Sequence, residues 1–272
     1  MIVAIDIIDT IGRIGKIDTN PFPTIPTIKT IRTIPTIKTI RTIPTIKTIQ
    51  TMTDLFPTSL IDRIARGGNV AVAVVEDPDR AVPLARTLLA GGVDAIELTF
   101  RTPRALEALK RIVAEVPEVL VGAGTVLTPA QVREAKDAGA AFAVAPGFNP
   151  DVVRAAADLG LPFAPGVMTP SEIEGAYALG CTRLLKFFPA SVAGGLAGLR
   201  TLAAPYKHLG IRFLPLGGLK ADNTAEWLAD PLVAACGGSW IAPAKLIAAG
   251  DWDAIAANAR TASAAAAAAR KG

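Results

Sequence analysis

The chain alternates short apolar runs with longer amphipathic segments over most of its length. Each apolar run has six or seven residues and is rich in Val, Ala, Leu and Phe. Such runs predict strands that are buried on both faces, as in a parallel sheet. The predicted strands cover residues 70–75, 95–100, 119–124, 141–146, 161–166, 183–189, 212–218 and 232–238.

The segments around these strands predict helices. Leu60, Ile61 and Ile64 follow helical spacing, and a Gly-Gly pair ends that helix. Four later segments open with Thr-Pro or Asn-Pro, which places a capping side chain before a proline at the first helical position. Their capping residues are Thr102, Thr128, Asn149 and Thr169.

Eight strands, each followed by a helix at intervals of about 20–30 residues, predict an α/β fold of the (β/α)8 TIM-barrel type. The alternative is an open, doubly wound parallel sheet. The barrel is favoured because the strand count reaches eight, and because the chain carries no dinucleotide-binding fingerprint.

The first 51 residues have a different pattern. From Thr24 to Gln50 the triplet Thr-Ile-x is repeated nine times, and this period of three fits neither an amphipathic helix nor a half-buried strand. We therefore expect residues 1–51 to form an extended or irregular extension, and residues 52–272 to form the barrel domain. An alternative is an assembly module, in which the repeat drives self-association and the barrel is a passenger.

Charge and composition exclude several classes of function. The 272 residues carry a net charge of +4, and residues 1–51 alone account for it with seven Lys or Arg and three Asp. The neutral remainder does not indicate a nucleic-acid groove. No apolar run is long enough to span a membrane, and no secretory signal is evident, so we expect a cytoplasmic protein.

The scarcity of histidine and cysteine excludes two further kinds of site. His208 is the sole histidine, and Cys181 and Cys236 lie far apart in apolar surroundings. A Cys/His zinc cluster is therefore excluded, and a Ser-His-Asp triad could be built only around His208. We expect both cysteines to be reduced core residues, and we expect no metal and no cofactor.

Two charged residues interrupt predicted strands. Lys186 lies within the run RLLKFFP, where desolvation favours the neutral, nucleophilic amine. Glu97 shares one strand face with Thr99 and Arg101, so it is a candidate general base beside an anion-binding guanidinium. The alternatives are a lysine paired with a carboxylate, and a structural Glu97–Arg101 ion pair.

Glycine-rich strand ends provide a candidate phosphate site. Gly217 and Gly218 end the seventh predicted strand, Gly238 ends the eighth, and Ser239 directly follows it. Barrels commonly bind phosphate at the ends of these two strands. Ser239 adds a hydroxyl, and a serine at this position can open a helix. Thr125 ends the glycine-rich third strand, where a ligand or a simple turn are both possible.

A lysine, a carboxylate, an anion-binding arginine and a phosphate cradle together indicate Schiff-base aldol chemistry on a phosphorylated keto acid. A phosphate-binding isomerase or epimerase, with Glu97 as base and Lys186 as electrostatic partner, is the alternative of another reaction class.

The segments GGVDAIELTFRTP, VGAGTVL, LLKFFPA, PLGGL and GGSW resemble, in this order, those of the 2-keto-3-deoxy-6-phosphogluconate (KDPG/KHG) aldolase family. The resemblance implies a metal-free homotrimer of the Entner–Doudoroff pathway, which releases pyruvate and glyceraldehyde 3-phosphate. It also implies a Schiff-base lysine, a general acid/base, pyruvate carboxylate ligands, phosphate ligands and pocket-lining residues. The implied Schiff-base lysine is Lys186, and the implied general acid/base is Glu97. The implied pyruvate carboxylate ligands are Arg101 and Thr125. The implied phosphate ligands are Gly217, Gly218, Gly238 and Ser239, and the implied pocket-lining residues are Phe188 and Pro146.

One position departs from the family pattern. Leu216 stands where the family often carries Thr, near the substrate hydroxyl whose configuration is read. An apolar side chain discriminates weakly between hydroxyl configurations. We therefore expect that 4-hydroxy-2-oxoglutarate or 2-dehydro-3-deoxy-6-phosphogalactonate are alternative substrates.

Overall fold

The structure is a computed structural model that describes residues 54–270, so the predicted extension at 1–51 lies outside the described residues. The strands are β1 Asn69–Ala73, β2 Ala95–Thr99, β3 Leu120–Gly124, β4 Phe142–Val144, β5 Phe163–Ala164, β6 Gly166–Val167, β7 Leu184–Phe187, β8 Arg212–Pro215 and β9 Cys236–Gly238. The helices are α1 Thr58–Gly67, α2 Ala81–Ala90, α3 Ala105–Glu115, α4 Pro129–Asp137, α5 Pro150–Leu159, α6 Pro170–Ala178, α7 Gly195–Ala203, α8 Thr224–Leu228, α9 Ala244–Ala249 and α10 Trp252–Ala269.

The strands form a curled parallel sheet of six strands in the order β5-β4-β3-β2-β1-β9, and a second parallel sheet in the order β6-β7-β8. Two isolated parallel bridges connect the β8 region with the β9 region: Phe213 in β8 with Val233, which precedes β9, and Leu216, which follows β8, with Gly237 in β9. The first strand lies between the second and the last. The strand order does not reverse at an internal switch point as in a doubly wound sheet, and the curled sheet is consistent with a TIM-like barrel.

All eight predicted strands form, but each is shorter than its apolar run. The predicted strand 161–166 is interrupted at Pro165, between β5 and β6. Proline has no N–H to donate to a neighbouring strand. On either side of Pro165 the chain pairs with different neighbours, since β5 pairs with β4 and β6 pairs with β7.

Three of the four predicted helix caps are confirmed. Thr128 and Asn149 accept hydrogen bonds from Gln131 and Asp151 backbone N–H groups, and Thr169 forms a capping box with its helix. The prediction for Thr102 is wrong. Helix α3 begins at Ala105, and the Thr102 hydroxyl instead donates to the Val75 carbonyl at 2.8 Å.

The core has two layers. Apolar residues on the helix-facing side of the strands pack under the surrounding helices. A second cluster fills the space enclosed by the curled sheet, and α1 covers it, with Phe56 next to Phe142 at 6.1 Å between ring centroids. Within residues 54–270, no helix is both long enough and apolar enough to cross a membrane.

Candidate active site

Lys186 and Glu97 form a buried ion pair. Lys186 projects from β7 and Glu97 from β2, and these strands are not neighbours in either sheet. The Lys186 Nζ donates to both Glu97 carboxylate oxygens, at 3.0 and 3.2 Å. The two residues are only 4% and 1% exposed. The pair therefore spans the enclosed interior, where each charge is compensated by the other.

This geometry has a direct chemical consequence. A proton can pass between an amine and a carboxylate that are within hydrogen-bond distance. Burial removes most competing water, which strengthens the electrostatic interaction. The Phe188 ring lies beside the pair, with its centroid 5.4 Å from Nζ. The site therefore places an amine and a carboxylate within hydrogen-bond distance of each other beside an aromatic ring.

Arg101 lies beyond the end of β2 and is exposed. Its backbone N–H donates to the Thr99 carbonyl at 2.8 Å, so the chain turns and the strand alternation does not reach Arg101. The alternative of a Glu97–Arg101 ion pair is wrong, since Glu97 pairs with Lys186. Over the described residues, Arg101 takes part in none of the salt bridges.

Thr125 follows β3 in a left-handed backbone conformation, with φ of 58°. In the part of the chain that the structure describes, it is the only residue other than glycine with positive φ. This conformation is uncommon for a β-branched residue and costs about 1–3 kcal/mol. Surrounding structure fixes it, including a hydrogen bond from Val126 N–H to the Val144 carbonyl at 3.2 Å. Strained residues of this kind cluster at active sites and ligand-binding positions, so Thr125 is a candidate functional residue.

Pro146 and Phe188 follow β4 and β7 and are half-buried. The Pro146 carbonyl lies where a Cβ on Gly166 would be, so the two strand ends approach each other closely. The Phe188 ring packs on Gly217, with its Cε2 atom 3.2 Å from the position a Cβ would take there. The end of β7 therefore contacts both the ion pair and the turn after β8.

Leu216 directly follows β8 and is 4% exposed. Its side chain lies over Gly237, where an added Cβ would be 2.8 Å from each Leu216 methyl carbon. Leu216 belongs to the same enclosed apolar cluster as Val70 and Leu214. Its side chain thus presents hydrocarbon, and no hydroxyl, to the interior.

Gly217 and Gly218 both have positive φ, 90° and 88°. This left-handed region strongly favours glycine, and the two residues turn the chain away from the sheet. They line a surface cavity of about 290 Å³ together with Ser191, Gly194 and Asn223. The backbone here is accessible to a ligand.

Gly238 ends β9 and is buried beneath Trp240, whose Nε1 is 2.6 Å from the position of an added Cβ. Ser239 follows and is exposed. Ser239 does not open a helix, because a turn intervenes and α9 begins at Ala244.

Glu97 and Lys186 lie inside β2 and β7, and the other candidate residues end or follow strands β2, β3, β4, β7, β8 and β9 at their carboxyl ends. Lys186 contacts Glu97 and Phe188, and Phe188 in turn contacts Gly217. The only side-chain hydrogen bonds of the ion pair within residues 54–270 are those between its two members, so none reaches Arg101, Thr125 or Ser239.

Both cysteines are free and buried, as expected. Burial raises the pKa of the Cys181 thiol to about 12, and it also raises the pKa of Cys236. Both thiols are therefore protonated at neutral pH and poorly reactive. Within residues 54–270, no three His, Cys, Asp or Glu side chains gather in a group that could hold a metal ion.

Comparison with known proteins gives a consistent result. The family model described as KDPG and KHG aldolase matches residues 60–258. A Treponema pallidum protein named 2-dehydro-3-deoxy-phosphogluconate aldolase is 46% identical over 197 residues, which cover 72% of this chain and 92% of that protein. An Escherichia coli KHG/KDPG aldolase is 42% identical over 198 residues, covering 73% and 92%.

Solved structures agree with the sequence relatives. The KDPG aldolase of Legionella pneumophila, with pyruvate captured as a covalent carbinolamine intermediate, is 35% identical and superposes with a TM-score of 0.70. The match covers 75% of this chain and 96% of the Legionella chain. This chain therefore belongs to the KDPG and KHG aldolase family.

Proposed function

We propose that this chain is a class I aldolase that cleaves 2-dehydro-3-deoxy-6-phosphogluconate to pyruvate and glyceraldehyde 3-phosphate. The observation that carries the proposal is the buried pair of Lys186 and Glu97, with Nζ 3.0 Å from a carboxylate oxygen. Membership of the KDPG and KHG aldolase family specifies the reaction class, a carbon–carbon lyase.

The reaction begins with proton transfer within the pair. Glu97 accepts a proton from the Lys186 ammonium, and the amine attacks the C2 carbonyl of the substrate. The new C–N bond gives a carbinolamine. Glu97 returns its proton to the carbinolamine hydroxyl, which leaves as water, so a protonated imine forms and Glu97 is again a carboxylate. That cation withdraws electrons from the neighbouring C3–C4 bond.

Cleavage and product release follow from the same two residues. Glu97 removes the proton of the C4 hydroxyl, the C3–C4 bond breaks, and its electron pair moves to the imine to form an enamine. Glyceraldehyde 3-phosphate leaves as the aldehyde. Glu97 then returns the proton to C3, and water adds to the imine and releases pyruvate. One water is lost and one regained, so the balance is one substrate to two products.

The other residues bind the two charged ends of the substrate. Arg101 and Thr125 hold the pyruvate carboxylate. The exposed guanidinium of Arg101 and the left-handed backbone at Thr125 support this assignment. Pro146 and Phe188 line the pocket beside the amine.

The phosphate lies at the ends of β8 and β9. Gly217, Gly218 and Gly238 allow close approach of backbone N–H groups, and Ser239 adds its hydroxyl. The positive φ of the first two glycines and the adjoining cavity support this assignment.

Leu216 supports relaxed discrimination at the substrate hydroxyl. Its buried hydrocarbon side chain cannot accept or donate a hydrogen bond that would read the configuration at C4. We therefore include 4-hydroxy-2-oxoglutarate and 2-dehydro-3-deoxy-6-phosphogalactonate as further substrates.

For the fold, we propose that the two sheets close into one (β/α)8 barrel formed by residues 52–272. Two observations support closure: the bridges between β8 and the last strand, and the single residue, Pro165, between β5 and β6. We also propose a cytoplasmic homotrimer. The homotrimer is proposed from the family resemblance. The large hydrophobic side chains exposed within residues 54–270, which are available for contact between copies, are Leu127, Met168 and Val192.

Pyruvate release tests the function against the isomerase alternative. The wild-type chain should release pyruvate from the phosphogluconate substrate, measured with lactate dehydrogenase and NADH. Lys186→Met should abolish release, while the exposed-lysine control Lys207→Met should retain it. An isomerase or epimerase would consume substrate without producing pyruvate, and that result would reject the aldolase.

A further inference from the structure

The interior face of β3 carries two glycines that its backbone does not require. Leu120, Gly122 and Gly124 alternate on this face, and Leu120 belongs to the enclosed apolar cluster. The strand pairs regularly with β2, and neither glycine has a positive φ. Alanine has no conformational difficulty in such a strand, so the reason for glycine must be space.

Different neighbours occupy the two spaces. At Gly122, an added Cβ would overlap the Phe142 ring, with Cδ2 at 2.6 Å. At Gly124, an added Cβ would lie 2.5 Å from Glu97 Cγ and 2.8 Å from Cδ, and Oε1 is closer still. The oxygen that lies against Gly124 is thus the one that accepts from Lys186 at 3.0 Å.

The register explains how the carboxylate comes to this place. Glu97 pairs with Gly122, and Thr99 pairs with Gly124. The Glu97 side chain therefore extends along the strand towards its carboxyl end and lies across Gly124, where the interior opens to the strand ends. A side chain on Gly124 would occupy the position of the carboxyl group.

We propose that Gly124 is a positioning residue, whose missing Cβ provides the space in which the Glu97 carboxylate reaches Lys186. The inference rests on the proposed function, because it concerns the proton transfers assigned to Glu97. An ordinary carbon contact needs 3.4 Å or more, so an alanine at this position displaces the carboxyl group by roughly 1 Å. The Glu97 side chain, and not the β3 backbone, should move, because the overlapping atoms belong to a flexible side chain.

Gly124→Ala, with Gly122→Ala as its matched control, tests the proposal. A displacement of about 1 Å of a catalytic group costs about a hundredfold in rate. Gly124→Ala should lower kcat for aldol cleavage by about this factor, with KM changed only a few-fold. The exchange of pyruvate methyl hydrogens with deuterated water should fall in parallel, while pyruvate is still trapped on Lys186 by borohydride. Gly122→Ala should lower the Tm but leave kcat within a few-fold.

A double-mutant cycle on stability provides the second readout. Gly124→Ala should lower the Tm in the wild-type background and leave it unchanged in Glu97→Ala, where the colliding atoms are gone. The Tm loss of Gly122→Ala should be the same in both backgrounds. If Gly124→Ala alone fails to fold, the Glu97→Ala/Gly124→Ala chain should still be as stable as Glu97→Ala alone.

Three results would overturn the proposal. They are an equal loss of kcat in both alanine variants, an equal Tm loss from Gly124→Ala in both backgrounds, and a double variant that is less stable than Glu97→Ala alone. Failure of the aldolase proposal is distinguishable: the wild-type chain would form no pyruvate adduct, while the stability cycle would still report the contact between Gly124 and Glu97.

Discussion

Replacing Glu97 by methionine should destabilise the fold far more than replacing both members of the ion pair. Glu97→Met keeps the length of the side chain but leaves the Lys186 amine without its carboxylate. Lys186→Met makes the reciprocal change. The double variant replaces the pair by two unbranched apolar side chains in the same interior space.

The structure sets the magnitude. Glu97 and Lys186 are 1% and 4% exposed, and within residues 54–270 their side chains form hydrogen bonds only with each other, at 3.0 and 3.2 Å. Breaking a buried pair by removing one partner costs about 3–5 kcal/mol, because the remaining group loses its compensation. Removing both partners is neutral or stabilising by about 1–4 kcal/mol.

Urea unfolding followed by circular dichroism measures these differences. A control is Arg154→Ala, which breaks the exposed pair with Asp151 and should cost less than about 1 kcal/mol. The free energy of unfolding of the double variant should equal or exceed that of the wild type, although the double variant is inactive. If its loss instead equals the sum of the two single losses, the residues are not coupled and the reasoning is wrong.

Other features lead to separate predictions. Thr125→Gly should leave the free energy of unfolding unchanged or higher, because strain of about 1–3 kcal/mol is relieved, yet raise KM; a loss of stability would contradict the strain. Cys181 and Cys236 should resist a thiol reagent in the native chain at pH 8 and react only after unfolding, since burial raises both pKa values; rapid native labelling would show otherwise. The wild type should prefer the gluconate over the galactonate substrate by less than about a thousandfold, and Leu216→Thr should increase that ratio in kcat/KM. Deleting residues 1–51 should leave kcat within a few-fold; loss of activity or of particle size would support the assembly role.

Much of the fold was predictable because parallel strands and helix caps are local signals. The apolar runs predicted all eight strands, and the Thr-Pro and Asn-Pro pairs predicted the starts of α4, α5 and α6. The same Thr-Pro signal is wrong at Thr102, because its hydroxyl donates to the backbone carbonyl of Val75, a residue that follows another strand. Such a contact depends on tertiary structure and has no sequence signal.

The site was predictable in its members but not in its contacts. Lys186 and Glu97 are conspicuous as charges inside apolar runs, whereas their pairing joins strands that are distant in sequence and not adjacent in either sheet. Arg101 lies outside the strand alternation because β2 ends at Thr99. The sequence shows Gly124 only as part of a glycine-rich strand end. The role of its missing side chain is not predictable, because the sequence does not show which side chain occupies the space beside a glycine.

Covalent capture of pyruvate tests the central claim most directly. The native chain is incubated with pyruvate and sodium borohydride, and the reduced protein is digested and mapped by mass spectrometry. The account predicts one stable pyruvyl adduct, on the peptide that contains Lys186, and none in Lys186→Met. A wild-type chain that cleaves or isomerises its substrate without any adduct, or that carries the adduct on another lysine, would contradict it.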